Sequence, residues 1–274
     1  MNIGFIGAGR VGCSLGKYFN LHGFFVSGYY SRSRESAEMA AELTGSRVFD
    51  DPKDLIKESD MIFLTVPDGM IEKVADEIVS SDLFGKTLCH CSGAMSSDVF
   101  SRMDEYGGRC SMHPLMAVSS REHDVSNAFF TIEGNEKAIV EVRNILDVCG
   151  NTYQEIDKSH KVRYHAAAAV ASNLAVGLFD MAIGMLMECG FDRDKAMEAL
   201  TPLATGNVAA VMEKGPEEAL TGPVSRGDDF TVSKHLQILS QEEREIYRLL
   251  SLRLLRLAGL PEADNDRMKG ILEK

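Results

Sequence analysis

Residues 2–12 of the chain read NIGFIGAGRVG. The first five of these residues predict a short buried strand, and a helical pattern follows the last glycine. The spacing G-x-G-x-x-G lies between the two: Gly7 allows a tight turn, Gly9 lets a phosphate approach the backbone, and Gly12 lets the helix pack close to the sheet. Free N–H groups at the helix start would face the phosphate charge. The sequence therefore predicts a dinucleotide-binding turn formed by Gly7, Gly9, Arg10, Val11 and Gly12.

The end of the second predicted strand, residues 25–30, indicates which dinucleotide binds. A site for NAD normally has an Asp or Glu here to hold the ribose 2′-hydroxyl, and the chain has none before Glu35. Ser31 can donate to a 2′-phosphate, and Arg32 can neutralise it and stack on the adenine. These residues predict NADP. The alternative is that Arg32 and Arg34 only form a solvated helix start.

Composition and charge narrow the class of protein. The 274 residues are 45% hydrophobic and carry a formal net charge of −12, which argues against a nucleic-acid-binding protein. Residues 166–187 form the longest apolar stretch, but Ser172, Asn173 and Asp180 interrupt it, so no membrane helix is predicted. Because the chain opens on a strand, we expect no signal peptide and a cytoplasmic protein.

The cysteines suggest one competing hypothesis. Cys89, His90 and Cys91 are followed by Cys110 and His113, and together they could offer ligands for zinc. The spacing departs from that of structural zinc sites, and free cysteines on core strands are common. We therefore predict free thiols and no metal.

Strand and helix patterns alternate as far as Ile156, which predicts a doubly wound α/β sheet. Further strands are predicted at 47–48, 60–66, 87–90, 109–112, 129–133 and 152–156, and helices at 34–43, 70–80 and 137–149. After residue 156 only helices are predicted, at 161–188, 193–203, 206–214, 231–239 and 241–258. The prediction is a Rossmann domain (1–156) followed by an all-helical substrate and dimerisation domain (157–274). The substrate is expected in the cleft between the domains.

The order of motifs resembles a known family. After the glycine-rich turn come TVPD (65–68), CSGA (91–94), MHPL (112–115), KVRYHAA (161–167) and TGPVSRGD (221–228). This order resembles Rossmann-like NADP oxidoreductases with a C-terminal helical domain of unknown function. That family is related to pyrroline-5-carboxylate reductases, ketopantoate reductases and 3-hydroxyacid dehydrogenases. The resemblance implies the fold and NADP, with Val66 and Pro67 in the cofactor site, but no substrate.

Reduction of a carbonyl needs a proton donor and groups that orient the substrate. Related enzymes use a Lys and an Asn on the first long helix after the Rossmann domain, where this chain has Lys161 and Asn173 at a longer spacing. A helical period also places His165 and Ser172 on the face of Lys161. Lys161 or His165 is the predicted proton donor, and Asn173 and Ser92 are predicted to orient the substrate. Each of them also has a structural alternative, such as a solvated lysine or a hydrogen-bonded core histidine.

Three further residues are candidates for the site. Gly93 and His113 follow strand ends, where ligands bind in open α/β sheets, so substrate binding and a reserve catalytic role are predicted for them. Arg226 could clamp a carboxylate bidentately or pair with Asp228. The sequence leaves these alternatives open.

The sequence predicts an NADP-dependent oxidoreductase that reduces a small 2-oxo acid. Ketopantoate is the single substrate that the resemblance suggests. A pyrroline-5-carboxylate-type imine reductase and a non-catalytic NADP-binding sensor or scaffold are the alternatives, and a deazaflavin is a further possible cofactor. Leucines between 249 and 257 cover more than one helix face, which predicts a homodimer.

Overall fold

The computed structural model describes residues 1–78 and 83–274. The chain divides into two compact units, unit 1 (Met1–Leu174) and unit 2 (Ala175–Lys274). The predicted boundary after residue 156 lies 18 residues earlier. Unit 1 reaches further because the helix that starts at Lys161 is tied to the sheet by the buried Lys161 side chain. The predicted helix end at Ser80 lies outside the described residues.

Unit 1 contains a sheet of eight strands in the order β3-β2-β1-β4-β5-β6-β7-β8. The first six strands run parallel, β7 is antiparallel to β6, and β8 is parallel to β7. This confirms the predicted doubly wound α/β fold. The strands are β1 (Asn2–Ile6), β2 (Phe25–Tyr30), β3 (Arg47–Val48), β4 (Met61–Leu64), β5 (Thr87–His90), β6 (Gly108–Pro114), β7 (Phe130–Gly134) and β8 (Tyr153–Glu155).

The helices of unit 1 begin and end where local chemistry predicts. The Ser33 side chain caps the second helix, which ends at the left-handed Gly45, and Asn135 and Gly150 do the same for the fifth. The helices are α1 (Arg10–Leu21), α2 (Arg34–Thr44), α3 (Pro52–Glu58), α4 (Asp68–Ile78), α5 (Glu136–Cys149) and α6 (Lys161–Ala171), with 3₁₀ turns at Ser97–Glu105 and Lys158–His160.

The sheet of unit 1 is buried on both faces. Ile3 and Phe5 of β1 belong to the core on one face, and Ile6 belongs to the core on the other. Phe5 stacks against Tyr29 at 5.1 Å and Phe63 at 5.4 Å between ring centroids. Burying a side chain of this size contributes roughly 1.5–3 kcal/mol. The strands are therefore a rigid base for the loops at their carboxyl ends.

The strand order fixes where those loops meet. β1 lies between β2 and β4 in the sheet. The strand order therefore reverses at β1, and the connections on its two sides run away from it in opposite directions. In open α/β sheets this point forms a crevice at the carboxyl ends of the strands, and ligands bind there.

Unit 2 is all-helical, as predicted. Its small core consists of Val224, Val232, Leu255, Met268 and Leu272. Its helices are α7 (Asn173–Glu188), which begins at the end of unit 1, α8 (Arg193–Lys214), α9 (Pro216–Ala219), α10 (Asp229–Ile238), α11 (Gln241–Leu255) and α12 (Glu262–Leu272). The sequence did not predict α9 or α12.

Two predicted helix boundaries are wrong. The single helix predicted at 161–188 is broken at Ser172, whose hydroxyl donates to the Ala168 carbonyl at 2.7 Å and whose backbone leaves helical angles. A serine bonded back in this way bends a helix. The two helices predicted at 193–203 and 206–214 are one helix, α8, because Gly206 weakens a helix by only about 1 kcal/mol and does not end it.

One segment among the described residues, Lys158–Glu188, is long and apolar enough to cross a membrane by length and composition alone. Its mean hydropathy is 1.6 over 18 residues. The sequence predicts no membrane helix here, because Ser172, Asn173 and Asp180 interrupt the apolar stretch. The segment passes the hydropathy criterion all the same, because the Ala, Val, Leu, Ile and Met residues around them dominate the mean hydropathy.

Candidate active site

The turn after β1 is locked to the end of β4. Gly7 has φ +112°, and a Cβ there would lie 2.6 Å from the Thr65 carbonyl oxygen. The Gly7 N–H donates to the Tyr30 carbonyl at 2.8 Å, and the Thr65 hydroxyl donates to the Gly7 carbonyl at 2.8 Å. Only glycine fits this backbone and this spacing. The sequence missed Thr65, whose contacts depend on a neighbouring strand.

The start of α1 is open towards this turn. Gly9 caps α1 without any side-chain hydrogen bond, and a Cβ at Gly9 would meet no atom within 4 Å. A Cβ at Gly12 would lie 2.7 Å from the Gly7 carbonyl oxygen, so Gly12 packs under the turn. The uncapped N–H groups of the first helical turn are suited to an anion. This cradle fits the pyrophosphate of a dinucleotide.

A cavity of about 410 Å³ opens beside the turn, at the carboxyl ends of β1, β2 and β4. Arg10, Val11 and Gly12 do not line it: Gly12 is buried, and Val11 packs against the core. Six of the nine predicted cofactor residues line the cavity, namely Gly7, Gly9, Ser31, Arg32, Val66 and Pro67.

The two arginines after β2 differ in their partners. Arg34 is held by Glu38 at 2.9 Å and Asp50 at 2.5 Å. Arg32 is exposed and forms no ion pair within the described part of the chain. Arg32 therefore has its charge available for an anionic ligand.

A second cluster of polar groups surrounds Lys161. The Lys161 side chain is 1% exposed, and its Nζ donates to the Ser92 carbonyl at 2.9 Å and to the Ser111 Oγ at 2.7 Å. Burial lowers the pKa of Lys161, against the opposing charge of Glu133. The Lys161 ammonium group thus links the loop that contains Ser92 to Ser111 of β6. The sequence missed Ser111, which reaches Lys161 only through the fold.

The Ser92 side chain is fully engaged. Its hydroxyl donates to Asp68 Oδ2 at 2.6 Å and accepts from the backbone N–H groups of Ala94 and Met95 at 3.3 and 3.1 Å. The Ser92 N–H donates to His90 Nδ1 at 3.2 Å. Ser92 therefore fixes the loop, and its hydroxyl has little capacity left for a substrate.

His90 is the buried support beneath this loop. Its Nε2 lies 3.3 Å from the Ser96 carbonyl, so it carries the proton while Nδ1 accepts from Ser92. Burial lowers the pKa of His90 to about 4, so the ring is neutral near pH 7.

Two imidazoles and a phenol meet above Gly93. His113 Nδ1 lies 2.7 Å from the Tyr164 hydroxyl, and the rings of His113 and His165 are 6.2 Å apart between centroids. A Cβ at Gly93 would lie 2.6 Å from His165 Cδ2 and 2.9 Å from His113 Nε2. The absence of a side chain at Gly93 lets the two histidines approach its backbone.

Protonation in this trio follows from burial. Burial, helped by the charges of Lys161 and His165, lowers the pKa of His113 to about 4. Burial raises the pKa of Tyr164. Near neutral pH the phenol therefore donates to a neutral His113. The sequence missed Tyr164, although it stands beside the predicted His165.

The other predicted residues lie apart from this trio. Asn173 is exposed at the start of α7 and accepts from the Ser172 hydroxyl at 3.1 Å. Arg226 is exposed in unit 2. Hydrogen bonds from Thr231 lower the pKa of Asp228, and the positive charge of Arg226 lowers it further. Among the described residues of unit 1, no hydrogen bond or ion pair links Asn173 to Gly93, His113 or His165.

The cysteine and histidine cluster contains no metal site. Burial raises the pKa of Cys89 and of Cys91, which keeps both thiols protonated. Within residues 1–78 and 83–274, no group of three or more His, Cys, Asp or Glu side chains is placed to hold a metal ion.

Two family models match separate parts of the chain. Residues 2–92 match the family described as NADP oxidoreductase, coenzyme F420-dependent, and residues 128–254 match a domain of unknown function, DUF2520. The predicted resemblance, an NADP oxidoreductase with a C-terminal domain of unknown function, is confirmed. The description of the N-terminal family also names the predicted cofactor, NADP.

Solved structures share the fold over nearly the whole chain. Protein TM1727 from Thermotoga maritima is 27% identical, with a TM-score of 0.75 over 93% of this chain and 98% of that one. A candidate NADP oxidoreductase from Bacteroides fragilis is 23% identical, with a TM-score of 0.71 over 92% and 97%. Pyrroline carboxylate reductase from Plasmodium falciparum, solved with NADP bound, is 14% identical, with a TM-score of 0.63 over 99% and 98%. No curated protein sequence matches the chain.

Proposed function

We propose that this protein is an NADPH-dependent reductase of a small molecule with a C=O or C=N bond. The observation that carries the proposal is the cavity beside the glycine-rich turn, where Gly7, Gly9 and the unpaired Arg32 line one space. The uncapped start of α1 suits a pyrophosphate, and Ser31 with Arg32 suits a 2′-phosphate. NADPH, when bound, supplies a hydride.

Three side chains above Gly93 are suited to acid catalysis. His165 is exposed beside Gly93, and a ring nitrogen of its imidazole can give a proton to a substrate, so His165 is the proposed proton donor. His113 and Tyr164 form a neutral hydrogen-bonded pair that can orient the acceptor atom. Lys161 is the other donor that the sequence suggests, but its buried ammonium group is held by Ser92 and Ser111, which supports a positioning role.

Two substrate classes each have a supporting observation, small oxo acids and cyclic imines. The positive charge of Lys161 beneath the Ser92–Gly93 loop favours an anionic carbonyl substrate and disfavours a protonated imine. The shared fold with pyrroline carboxylate reductase favours a cyclic imine. Ketopantoate has no support among the relatives, so it enters the test as one oxo acid among several.

The test is NADPH oxidation with a panel of small 2-oxo acids and cyclic imines. We expect turnover of at least one class, with NADPH used in preference to NADH. Binding of NADPH without any turnover would favour the sensor alternative. A parallel assay with a reduced deazaflavin and NADP⁺ tests coenzyme F420, the other cofactor in the description of the N-terminal family. Failure to bind either reduced nicotinamide cofactor would contradict the proposal.

We also propose a homodimer formed through unit 2. Helix α7 has no buried residue, and in α11 Leu249 is 69% exposed while Leu255 is buried in the small core. Apolar side chains exposed on this scale indicate a binding surface. A second copy of the chain would cover them, and light scattering at micromolar concentration tests the assembly.

A further inference from the structure

The loop that joins β6 and β7, residues 115–129, is tied to the far side of the glycine-rich turn. The Ser14 hydroxyl of α1 donates to the Ser120 carbonyl at 3.2 Å and accepts from the His123 N–H at 3.2 Å. Lys17 of α1 forms an ion pair with Glu122 at 2.6 Å. These contacts hold the tip of the loop, which we call the β6–β7 loop, against the helix that begins at the turn.

The base of the β6–β7 loop is fixed as well. Asn151 is buried, and its amide donates to the carbonyls of Val125 at 3.2 Å and Ala128 at 3.1 Å. The Tyr18 hydroxyl of α1 donates to the same Asn151 side chain at 2.9 Å. A loop held at both its tip and its base presents the side chain at its tip in a defined position.

That side chain is Arg121. It is half-buried, it lines the same cavity as Gly7, Gly9 and Arg32, and its guanidinium donates to the Ser36 hydroxyl at 3.1 Å. Arg121 and Ser36 are 85 residues apart in the chain. Among the described residues Arg121 forms no ion pair. A half-buried guanidinium without a carboxylate partner keeps its charge for a ligand.

The position of Ser36 shows what that ligand would be. Ser36 is the third residue of α2, and its N–H is bonded to the capping Ser33. α2 begins at Arg34, two residues after Arg32, and Ser31 and Arg32 are the residues proposed to meet the 2′-phosphate. A ribose 2′-phosphate carries nearly two negative charges, whereas the 2′-hydroxyl of NAD carries none. Two unpaired guanidinium groups lining one cavity match the phosphate and not the hydroxyl.

We infer that Arg121, brought in by the β6–β7 loop, is a second determinant of NADP over NAD, binding the 2′-phosphate together with Arg32. The inference rests on the proposed function, because it assumes that the cavity takes this cofactor. It adds a residue that lies far from the glycine-rich turn in sequence and that the predicted site did not include.

The direct test is Arg121→Gln, with Arg121→Lys as the conservative variant. Fluorescence titration should show that Arg121→Gln weakens NADPH binding on the order of 10- to 100-fold, as expected for a lost hydrogen bond to a charged group, and changes NADH binding less than about twofold. Arg121→Lys should recover part of the NADPH affinity, since it keeps the charge but not the planar fork. Equal losses for both cofactors, or no loss, would overturn the inference.

A matched control is Arg102→Gln, which removes an exposed arginine that is paired with Asp76 and does not line the cavity. It should leave both cofactor affinities unchanged. The parent protein separates this inference from the proposed function. If the parent binds no NADPH, both fail. If the parent prefers NADPH and Arg32→Gln loses the preference while Arg121→Gln keeps it, only the inference fails.

The unmodified chain offers a second readout in case Arg121→Gln does not fold. Trypsin can cleave after Arg121 in the β6–β7 loop. We expect 2′,5′-ADP to slow cleavage at this bond, and 5′-AMP at the same occupancy to slow it much less. Equal protection by both nucleotides would overturn the role of Arg121.

Discussion

The sheet of unit 1 and the helix α7 bury their apolar side chains to opposite extents. In β1 the residues from Ile3 to Ile6 are all buried, whereas α7, with a strongly apolar composition, has no buried residue. Among residues 1–78 and 83–274, slightly more large apolar side chains are exposed in unit 2 than in unit 1, although unit 2 is the shorter of the two. The difference shows that unit 1 completes its own core, while unit 2 leaves apolar side chains exposed, which is what the proposed dimer would cover.

The residues proposed for cofactor binding and proton transfer belong to unit 1. The glycine-rich turn, the cavity and the Gly93 cluster are all built from residues of unit 1. Their positions are set by strands whose neighbours lie within the same chain, so substitutions there should act on binding and chemistry in each chain. Substitutions on the exposed helices of unit 2 should act on assembly.

The largest effect is expected at Gly7. A Cβ at Gly7 would collide with the Thr65 carbonyl oxygen at 2.6 Å, and the backbone at φ +112° is strained for any other residue. Gly7→Ala should abolish NADPH binding and lower the free energy of unfolding by on the order of 3 kcal/mol. Cofactor titration and urea unfolding measure the two effects.

Gly45→Ala is the matched control for this substitution. Gly45 also has a positive φ, of 63°, but a Cβ there would meet no atom within 4 Å. The expected loss is only about 1 kcal/mol, with NADPH binding retained. Similar behaviour of the two variants would show that the Thr65 contact does not matter.

The next effect concerns proton donation above Gly93. His165→Ala should lower turnover on the best panel substrate by roughly 10²–10⁴-fold, the usual contribution of a general acid. It should leave NADPH affinity and stability almost unchanged, because the side chain is exposed. Steady-state kinetics with His160→Ala, another exposed histidine, as the control give the comparison.

Lys161→Met separates positioning from chemistry in the same cluster. The substitution removes the two Lys161 hydrogen bonds and leaves the Ser92 carbonyl and the Ser111 hydroxyl only their mutual bond at 3.2 Å, so stability should fall together with turnover. If His165→Ala and Lys161→Met both keep near-parent turnover, neither predicted donor carries the chemistry, and His113→Gln becomes the next variant.

Acid should destabilise unit 1 through its buried histidine. The pKa of His90 is lowered to about 4 in the folded chain, against about 6.5 when unfolded. The unfolded chain therefore binds the extra proton between these values, so stability is complete above pH 6.5 and falls as the pH drops towards 4, by up to about 3 kcal/mol. His90→Gln should reduce the slope of thermal stability over this window without removing it, because the pKa of His113 is also lowered to about 4; an unchanged slope would contradict the assignment.

Local sequence signals predicted the parts of the molecule that depend on local chemistry. The turn at Gly7, the strand β1 and the start of the helix at Arg34 each follow from a few neighbouring residues. A doubly wound sheet then follows from the alternation of strands and helices. The cofactor cavity was thus predictable in outline.

The missed residues depend on contacts between distant segments. Thr65, Ser111 and Arg121 each act through a partner 50 or more residues away, and no short motif marks such a pairing. The break at Ser172 depends on a single side-chain hydrogen bond to a backbone carbonyl, which an averaged helical pattern does not reveal.

The smallest effect is expected on the exposed helices of unit 2. Leu249 is 69% exposed on α11, so Leu249→Glu should not disturb the fold of a single chain. If a second copy covers this surface, the buried charge should weaken the dimer by about 1–2 kcal/mol, roughly tenfold in its dissociation constant. Sedimentation velocity over a range of concentrations measures the shift.

Leu21→Glu gives the matched comparison from unit 1. Leu21 is 73% exposed on α1, so it is as accessible as Leu249 but belongs to the unit with a complete core. The dimer constant should be unaffected by this change. A parent chain that is monomeric at micromolar concentration, or equal weakening by both variants, would remove the distinction between the two units. Weakening by Leu249→Glu alone would establish that unit 2 completes its apolar packing with a second copy.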